Sequence, residues 1–220
     1  MPSRKTSTVP GTHTFVFVGG RLWLDFLNTD DARLGERMDT IDSFERFVAW
    51  LEAARIVDAE RAAALRRRAQ EQPSGAAAAL VEARRVRAAL RALAERGRTE
   101  QGERGRETAL GEINRVLGRS VGSRRVEAHP DGGYTRSFVP IGDAFGGLVI
   151  PVVESAVETL VRGETARIHT CADRRCPRHF IDDSRSRTRR WCDMRTCGNR
   201  AKAQRQRRRT REHPLERHHG

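Results

Sequence analysis

Apolar residues along the chain follow two spacings. Residues 14–18 (TFVFV) and 21–27 (RLWLDFL) are short aromatic and aliphatic runs, the pattern of buried strands. Gly19-Gly20 between them predicts a hairpin turn or bulge. Phe44, Phe47, Val48 and Leu51 then recur at helical spacing behind Asp42-Ser43, where a capping side chain starts a helix over 43–55. A second helix is predicted over 58–72, broken by Pro73-Ser74-Gly75. A longer one over 76–96 carries Ala83, Val86, Leu90 and Leu93 on one face, with Arg84, Arg85, Arg87 and Arg91 turned elsewhere. The glycine-rich stretch 97–105 reads as a loop, and a short helix over 107–117 stops at Gly118. Strands over 124–128 and 134–139 flank His129-Pro130-Asp131-Gly132-Gly133, whose Asp-Gly is a turn signal. The apolar run 148–161 predicts a helix with Pro151 in its first turn and Val153, Ala156, Val157 and Leu160 buried. The first ten residues are polar and read as frayed.

Helices mixed with hairpins predict an α+β fold, with one mixed helix/strand domain over 12–162. The pattern changes near 162–164. Between 165 and 211 the apolar residues thin to Ile168, Phe180, Ile181, Trp191 and Met194, too few to bury a core without a staple. This second unit is read as a small module ending in a basic helix.

Charge separates the two parts. Of the formal net charge of +13 over 220 residues, residues 164–220 hold 17 Lys and Arg against 7 Asp and Glu, and the rest 25 against 22. A basic surface confined to one end points to a polyanion, nucleic acid first. No apolar stretch of about 7 to 15 residues follows the basic start, and no apolar run approaches the roughly 18 residues of a membrane span. The chain therefore reads as cytoplasmic, where four cysteines within a short segment are better explained by metal than by disulfides.

Cys171-x4-Cys176 and Cys192-x4-Cys197 are two identically spaced pairs 15 residues apart. Zinc takes four ligands at the corners of a tetrahedron, and two short loops that each supply two thiolates satisfy it while closing a small fold. An iron-sulfur cluster is the rival reading, without the C-x4-C-x2-C spacing of plant-type ferredoxins. His169 and His179 lie close enough to compete as ligands. Four thiolates fill a structural site, so no open position for a catalytic water is implied. Around the metal, Arg185, Arg187, Arg189 and Arg190 lie between the pairs, and Arg200, Lys202, Arg205, Arg208 and Arg209 follow the second. These cations are read as donors to phosphate. Trp191 is read as the module's small core.

Ser184-Arg185-Ser186-Arg187-Thr188-Arg189-Arg190-Trp191-Cys192-x-Met194, followed by Cys197-Gly198-Asn199-Arg200, resembles the signature of the CGNR zinc-finger family. Gly19-Gly20-Arg21-Leu22-Trp23-Leu24-Asp25-Phe26-Leu27-Asn28-Thr29 is similar to the opening motif of the ABATE domain, which precedes this finger in the same family. Asp173-Arg174-Arg175 and Pro177-Arg178-His179 are more basic than the family's first knuckle. The resemblance implies one structural Zn2+ on the four cysteines and a bacterial, stress-induced transcriptional regulator that binds DNA. It suggests that Gly198 permits a close turn, that Asn199 bonds main chain near the metal and that Arg200 faces phosphate.

Asp25, Asn28, Thr29, Asp30 and Asp31 form a polar cluster that either receives a small ligand or builds an elaborate turn and helix cap. No Ser/His/Asp set, phosphate-binding loop or HExxH occurs, so the chain is read as a non-enzyme. The expectation is an N-terminal domain that senses a small molecule or pairs with a second copy, and a zinc module for DNA. An RNA-binding or ribosome-associated zinc protein is the second reading, and a metal-dependent nuclease the third.

Overall fold

The structure is a computed structural model that describes residues 6–9, 13–33, 36–95, 100–119, 121–128, 134–142 and 145–212. It is α+β, as the pattern predicts. Among the described residues the strands pair two by two, each pair antiparallel, and helices supply the core.

Thr6–Val9 (β1) pairs with His13–Val16 (β2), so part of the polar start is a strand. The second apolar run is not one. Leu22–Leu27 forms a short helix, α1, with five of its six residues buried. A brief run that is apolar but for Asp25 fits a buried helix and a buried strand equally well; here packing decides. Helix α1 sits at the centre and needs apolar atoms on every side. Gly19 lets the chain enter it, because a Cβ there would lie 2.7 Å from Leu24 Cβ and 2.9 Å from the Asp25 amide, inside contact distance.

Asp30–Arg33 (β3) and Glu36–Asp39 (β4) form a hairpin that periodicity did not reveal. Phe44–Ala53 (α2) starts where Ser43 accepts from the Arg46 amide at 3.2 Å. Ala59–Glu71 (α3) starts where Asp58 accepts from the Arg61 amide at 2.7 Å. Pro73–Ala94 (α4) takes Pro73 at its first turn, where the missing amide costs nothing. Glu100–Arg119 (α5) begins seven residues before the expected start, because Gly102 and Gly105 lie within the helix instead of ending it. Gly122–Ala128 (β5) and Tyr134–Pro140 (β6) pair over seven residues; the turn predicted between them lies outside the described residues. Ile150–Val161 (α6) closes this part.

Helix α1 packs against both α4 and α6, and Trp23 ties it to α6 through Nε1 donating to Thr159 Oγ1 at 3.0 Å. The Phe26 ring packs tilted against Trp50 of α2, with centroids 4.9 Å apart. The arginines of α4 do not simply face water. Arg87 is 3% exposed and donates to both Asp39 oxygens at 2.8 and 2.7 Å and to Thr29 Oγ1 at 2.8 Å. Burial works to raise Asp39, but the bonds and charge of Arg87 hold it below the usual carboxylate range. Arg91 donates to the Asp30 carbonyl at 2.8 Å. Thr29 and Asp30 of the polar cluster thus belong to the clasp between the β3–β4 hairpin and α4, while Asp25 and Asn28 bond elsewhere; the Asp31 side chain lies outside the described residues.

A 3-10 turn, Glu164–Arg167, leads into the C-terminal module. There Ile168–Thr170 (β7) pairs with His179–Ile181 (β8), and Asn199–Glu212 (α7) follows one π-helical turn, Met194–Gly198. Among the described residues no helix is long and apolar enough to cross a membrane.

Candidate metal centre and basic surface

The first cysteine pair sits on the knuckle between β7 and β8. Cys171 N donates to Arg178 O at 2.9 Å and Cys176 N to Asp173 O at 2.8 Å, which curls the segment from Cys171 to Cys176 into a tight loop. The second pair spans the π-helical turn. Asp193 Oδ1 accepts from the Arg195 and Thr196 amides at 2.7 and 3.0 Å, and this cap turns Cys197 back toward Cys192. Ala172 N donates to Arg190 O at 2.8 Å, joining the two knuckles.

All four cysteines are buried, and their sulfurs lie within 4.8 Å of one another. Cys176 Sγ is 3.6 Å from Cys192 Sγ, which is 3.8 Å from Cys197 Sγ. Four thiolates about 2.3 Å from a tetrahedral zinc sit about 3.8 Å apart, so the residues present fit the ion. Cys192 N points at Cys171 Sγ at 3.5 Å, the kind of donor that supports a metal thiolate. Val18, Phe180, Val16 and Trp191 enclose the sulfurs. Burial pushes the Cys197 thiol up to about 12, with the neighbouring sulfurs adding to it. Cys192 goes up as well, through its contact with Cys176 and then through burial. A dication offsets that crowding, and the four sulfurs are placed to hold one zinc ion. Neither histidine joins them: His169 is exposed, and His179 is held by its main chain elsewhere.

The nine predicted phosphate donors separate into two groups. Arg189 stands apart, because its guanidinium is bonded inside the molecule. It donates to Trp191 O at 3.0 Å, Ile181 O at 3.4 Å, Val18 O at 3.3 Å and Cys192 O, and stacks over Phe180 at 4.4 Å. Arg200 also has an internal bond, to Asp173 Oδ2 at 2.5 Å, tying the start of α7 to the first knuckle. Arg185, Arg187, Arg190, Lys202, Arg205, Arg208 and Arg209 are exposed. Asn199 donates to Arg195 O at 3.0 Å, so it caps main chain beside the metal. Gly198 has no left-handed φ; the end of the exposed Met194 side chain lies over it and would have to move to admit a Cβ.

Sequence reasoning missed how the N-terminal motif meets the module. Ile181 N donates to Gly19 O at 2.8 Å. Arg21 donates to Glu164 at 2.9 Å and to Asp183 at 2.8 Å, and Arg167 also binds Asp183. Ile168 and Ile181 belong to the main core cluster. The signal was the motif itself, whose Arg and Asn have no use inside an apolar run.

Residues 20–163 match the ABATE family model, described as "Putative stress-induced transcription regulator". Residues 167–210 match the CGNR zinc finger. No curated protein matches the chain. Since the first match alone spans more than half of the 220 residues, and its opening motif is what holds the finger in place, the chain belongs to the ABATE family and carries a CGNR zinc finger.

Proposed function

We propose that the chain is a DNA-binding transcription regulator, not an enzyme, whose zinc module holds a cationic face against the phosphate backbone. The observation that carries this is the fate of the module's acids. Between 165 and 211 the only ones are Asp173, Asp182, Asp183 and Asp193, and each is bonded within the molecule. Asp173 binds Arg200 and the Arg175 amide, Asp182 the Ser184 and Arg189 amides, Asp183 Arg21, and Asp193 the π-helical turn. Among the described residues none of Arg185, Arg187, Arg190, Lys202, Arg205 and Arg209 has a carboxylate partner. A surface that bonds its acids within the molecule and leaves these six cations without a carboxylate partner lowers the work of approaching a polyanion.

Helix α7 supports the same reading. It is polar on all sides apart from Ala201 and Ala203, and such a helix needs an anchor at its start and counter-charge along its side. The cysteine centre and the Arg200–Asp173 bond supply the first, and nucleic acid the second.

The test is a salt titration of the zinc-loaded protein on duplex DNA and on structured RNA of matched length. Log K on duplex is expected to fall linearly with log salt, with a slope for about 5 to 8 phosphates at about −0.9 each. Tighter binding to the RNA at equal salt would replace the DNA reading with an RNA one.

A further inference from the structure

The cleft between the zinc module and the N-terminal domain has a chemistry that backbone phosphate binding does not use. Its volume is about 620 Å3, within the roughly 300 to 1,000 Å3 of small-molecule sites. Phe17, Val18 and Gly20 form one wall, and residues from the 184–194 segment the other. Three features face into it.

The first is Asp25, a buried carboxyl on α1 that lines the cleft. It accepts from the Gly19 amide at 2.7 Å and from the Val18 amide, and among the described residues no cation pairs with it. The second is Trp191, half-buried on the sulfur cluster and lining the cleft, with the Arg190 and Arg205 guanidiniums 5.5 and 6.0 Å from its ring, where a flat base would join or replace them. The third is the rim. Arg190 is exposed, lies 5.5 Å from the Trp191 ring and has no acidic partner among the described residues; Ser186 and Thr188 stand beside it with their hydroxyls 2.7 Å apart.

A carboxyl in an apolar recess selects N–H donors, an indole face selects a flat ring, and a guanidinium with hydroxyls selects phosphate. A ligand that satisfies all three is a flat heterocycle with an N–H edge and an attached phosphate. We propose that this cleft binds a nucleotide whose base carries an exocyclic amine. The base lies on Trp191, the amine points to Asp25, and the phosphate meets Arg190 and the rim hydroxyls. Bases paired in a duplex cannot reach that floor, so the occupant is a free nucleotide or an unpaired nucleotide of a strand. Since both units wall the cleft, occupancy stabilises their docking. The proposal goes beyond the duplex-binding reading and does not depend on it.

The experiment uses the zinc-loaded full chain and isothermal titration with CMP, GMP, AMP and UMP, with cytidine, and with short single strands of dC or dT. Amine-bearing mononucleotides are expected to bind at least about tenfold tighter than UMP, the effect of one good base-edge contact, and to raise Tm. Arg190→Ala should weaken CMP about tenfold and leave cytidine unchanged, and Asp25→Asn should erase the preference over UMP. Free CMP binding tighter than a dC strand marks a small-molecule effector, and the reverse marks a strand site; both support the cleft. No binding of any mononucleotide or strand to the wild-type protein, UMP binding as well as CMP, or an unchanged CMP affinity in Arg190→Ala overturns it. Lys202→Ala/Arg209→Ala, at exposed positions of α7 that do not line the cleft, separates the two readings, since it should reduce duplex affinity and spare CMP. CMP binding without duplex binding would keep the cleft and remove the DNA proposal.

Discussion

The Asn28 side chain pairs with the main chain of His179 as a neighbouring strand would: its Nδ2 donates to His179 O at 2.9 Å, and His179 N donates to its Oδ1 at 2.8 Å. One amide thus satisfies both main-chain groups of a buried residue 151 positions away. The bond joins the opening motif of the N-terminal domain to the strand that follows the first zinc knuckle. Burial, with the Arg91 charge nearby, keeps His179 low, at about 4, so its ring stays neutral beside the junction.

Asn28→Ala leaves that donor and that acceptor unpaired in the interior. At about 1 to 3 kcal/mol for each unsatisfied group, the variant is expected to lose roughly 2 to 4 kcal/mol in urea denaturation, with hydrogen exchange accelerating first at His179 to Ile181. A loss under about 0.5 kcal/mol, the size of an ordinary surface change, would mean that the pairing contributes nothing net.

Arg189 and Arg185 should behave oppositely. Arg189→Ala removes bonds to Trp191, Ile181, Val18 and Cys192 and a stacking partner of Phe180, so it should lower Tm and weaken zinc retention against a chelator. Arg185→Ala, at an exposed position, should leave Tm unchanged and reduce DNA affinity with a slope shallower by about 0.9. A drop in DNA affinity without a drop in Tm for Arg189→Ala would return that residue to the phosphate surface.

Cys197→Ser should abolish zinc binding, because three thiolates no longer close the tetrahedron and the binding energy of a structural zinc is folding energy. The damage should extend beyond the finger. Val16 and Val18 pack on the sulfur cluster, and Ile168 and Ile181 sit in the main core, so hydrogen exchange should also rise from Phe15 to Gly20. Full zinc content in the variant by elemental analysis would refute the four-cysteine site.

A chain ending at Arg162 is expected to melt cooperatively but at lower temperature than the whole protein. It keeps α1 to α6 while losing Ile168, Ile181 and the partners of Gly19, Arg21 and Asn28. An unchanged Tm would show that the two parts are independent.

Asp25 makes stability depend on pH. Burial raises its carboxyl to about 7, against the pull of the Gly19 and Val18 amides. The folded state therefore binds the proton more tightly than the unfolded chain. The resulting stability is fully present below the unfolded pKa of about 4 and is lost as pH rises through about 7. Asp25→Asn keeps the shape and an acceptor for Gly19, so stability between about pH 4 and 7, the interval between the unfolded and folded values, should become flatter than in the wild type. An equal slope in both proteins would place the titration elsewhere.

The elements with strong local signals are legible in the residues alone. Helices α2 and α3 carry their caps in sequence, at Ser43 and Asp58, and α6 carries its apolar face and early proline. The cysteine site is legible for the same reason: ligand number and spacing are local, and tetrahedral chemistry leaves few other ways to use two matched pairs. Three things required the tertiary structure. Residues 22–27 became a helix because they are enclosed by α4, α6 and β8, and a run buried on all sides has no period to read. Arg87 and Arg189 looked like surface cations because an arginine's sequence position does not say whether its five N–H donors meet water or carbonyls. Asn28 lay in a cluster that read as a turn. Its partner is 151 residues away, and no local pattern encodes a hydrogen bond made by two segments that only the packed core brings together.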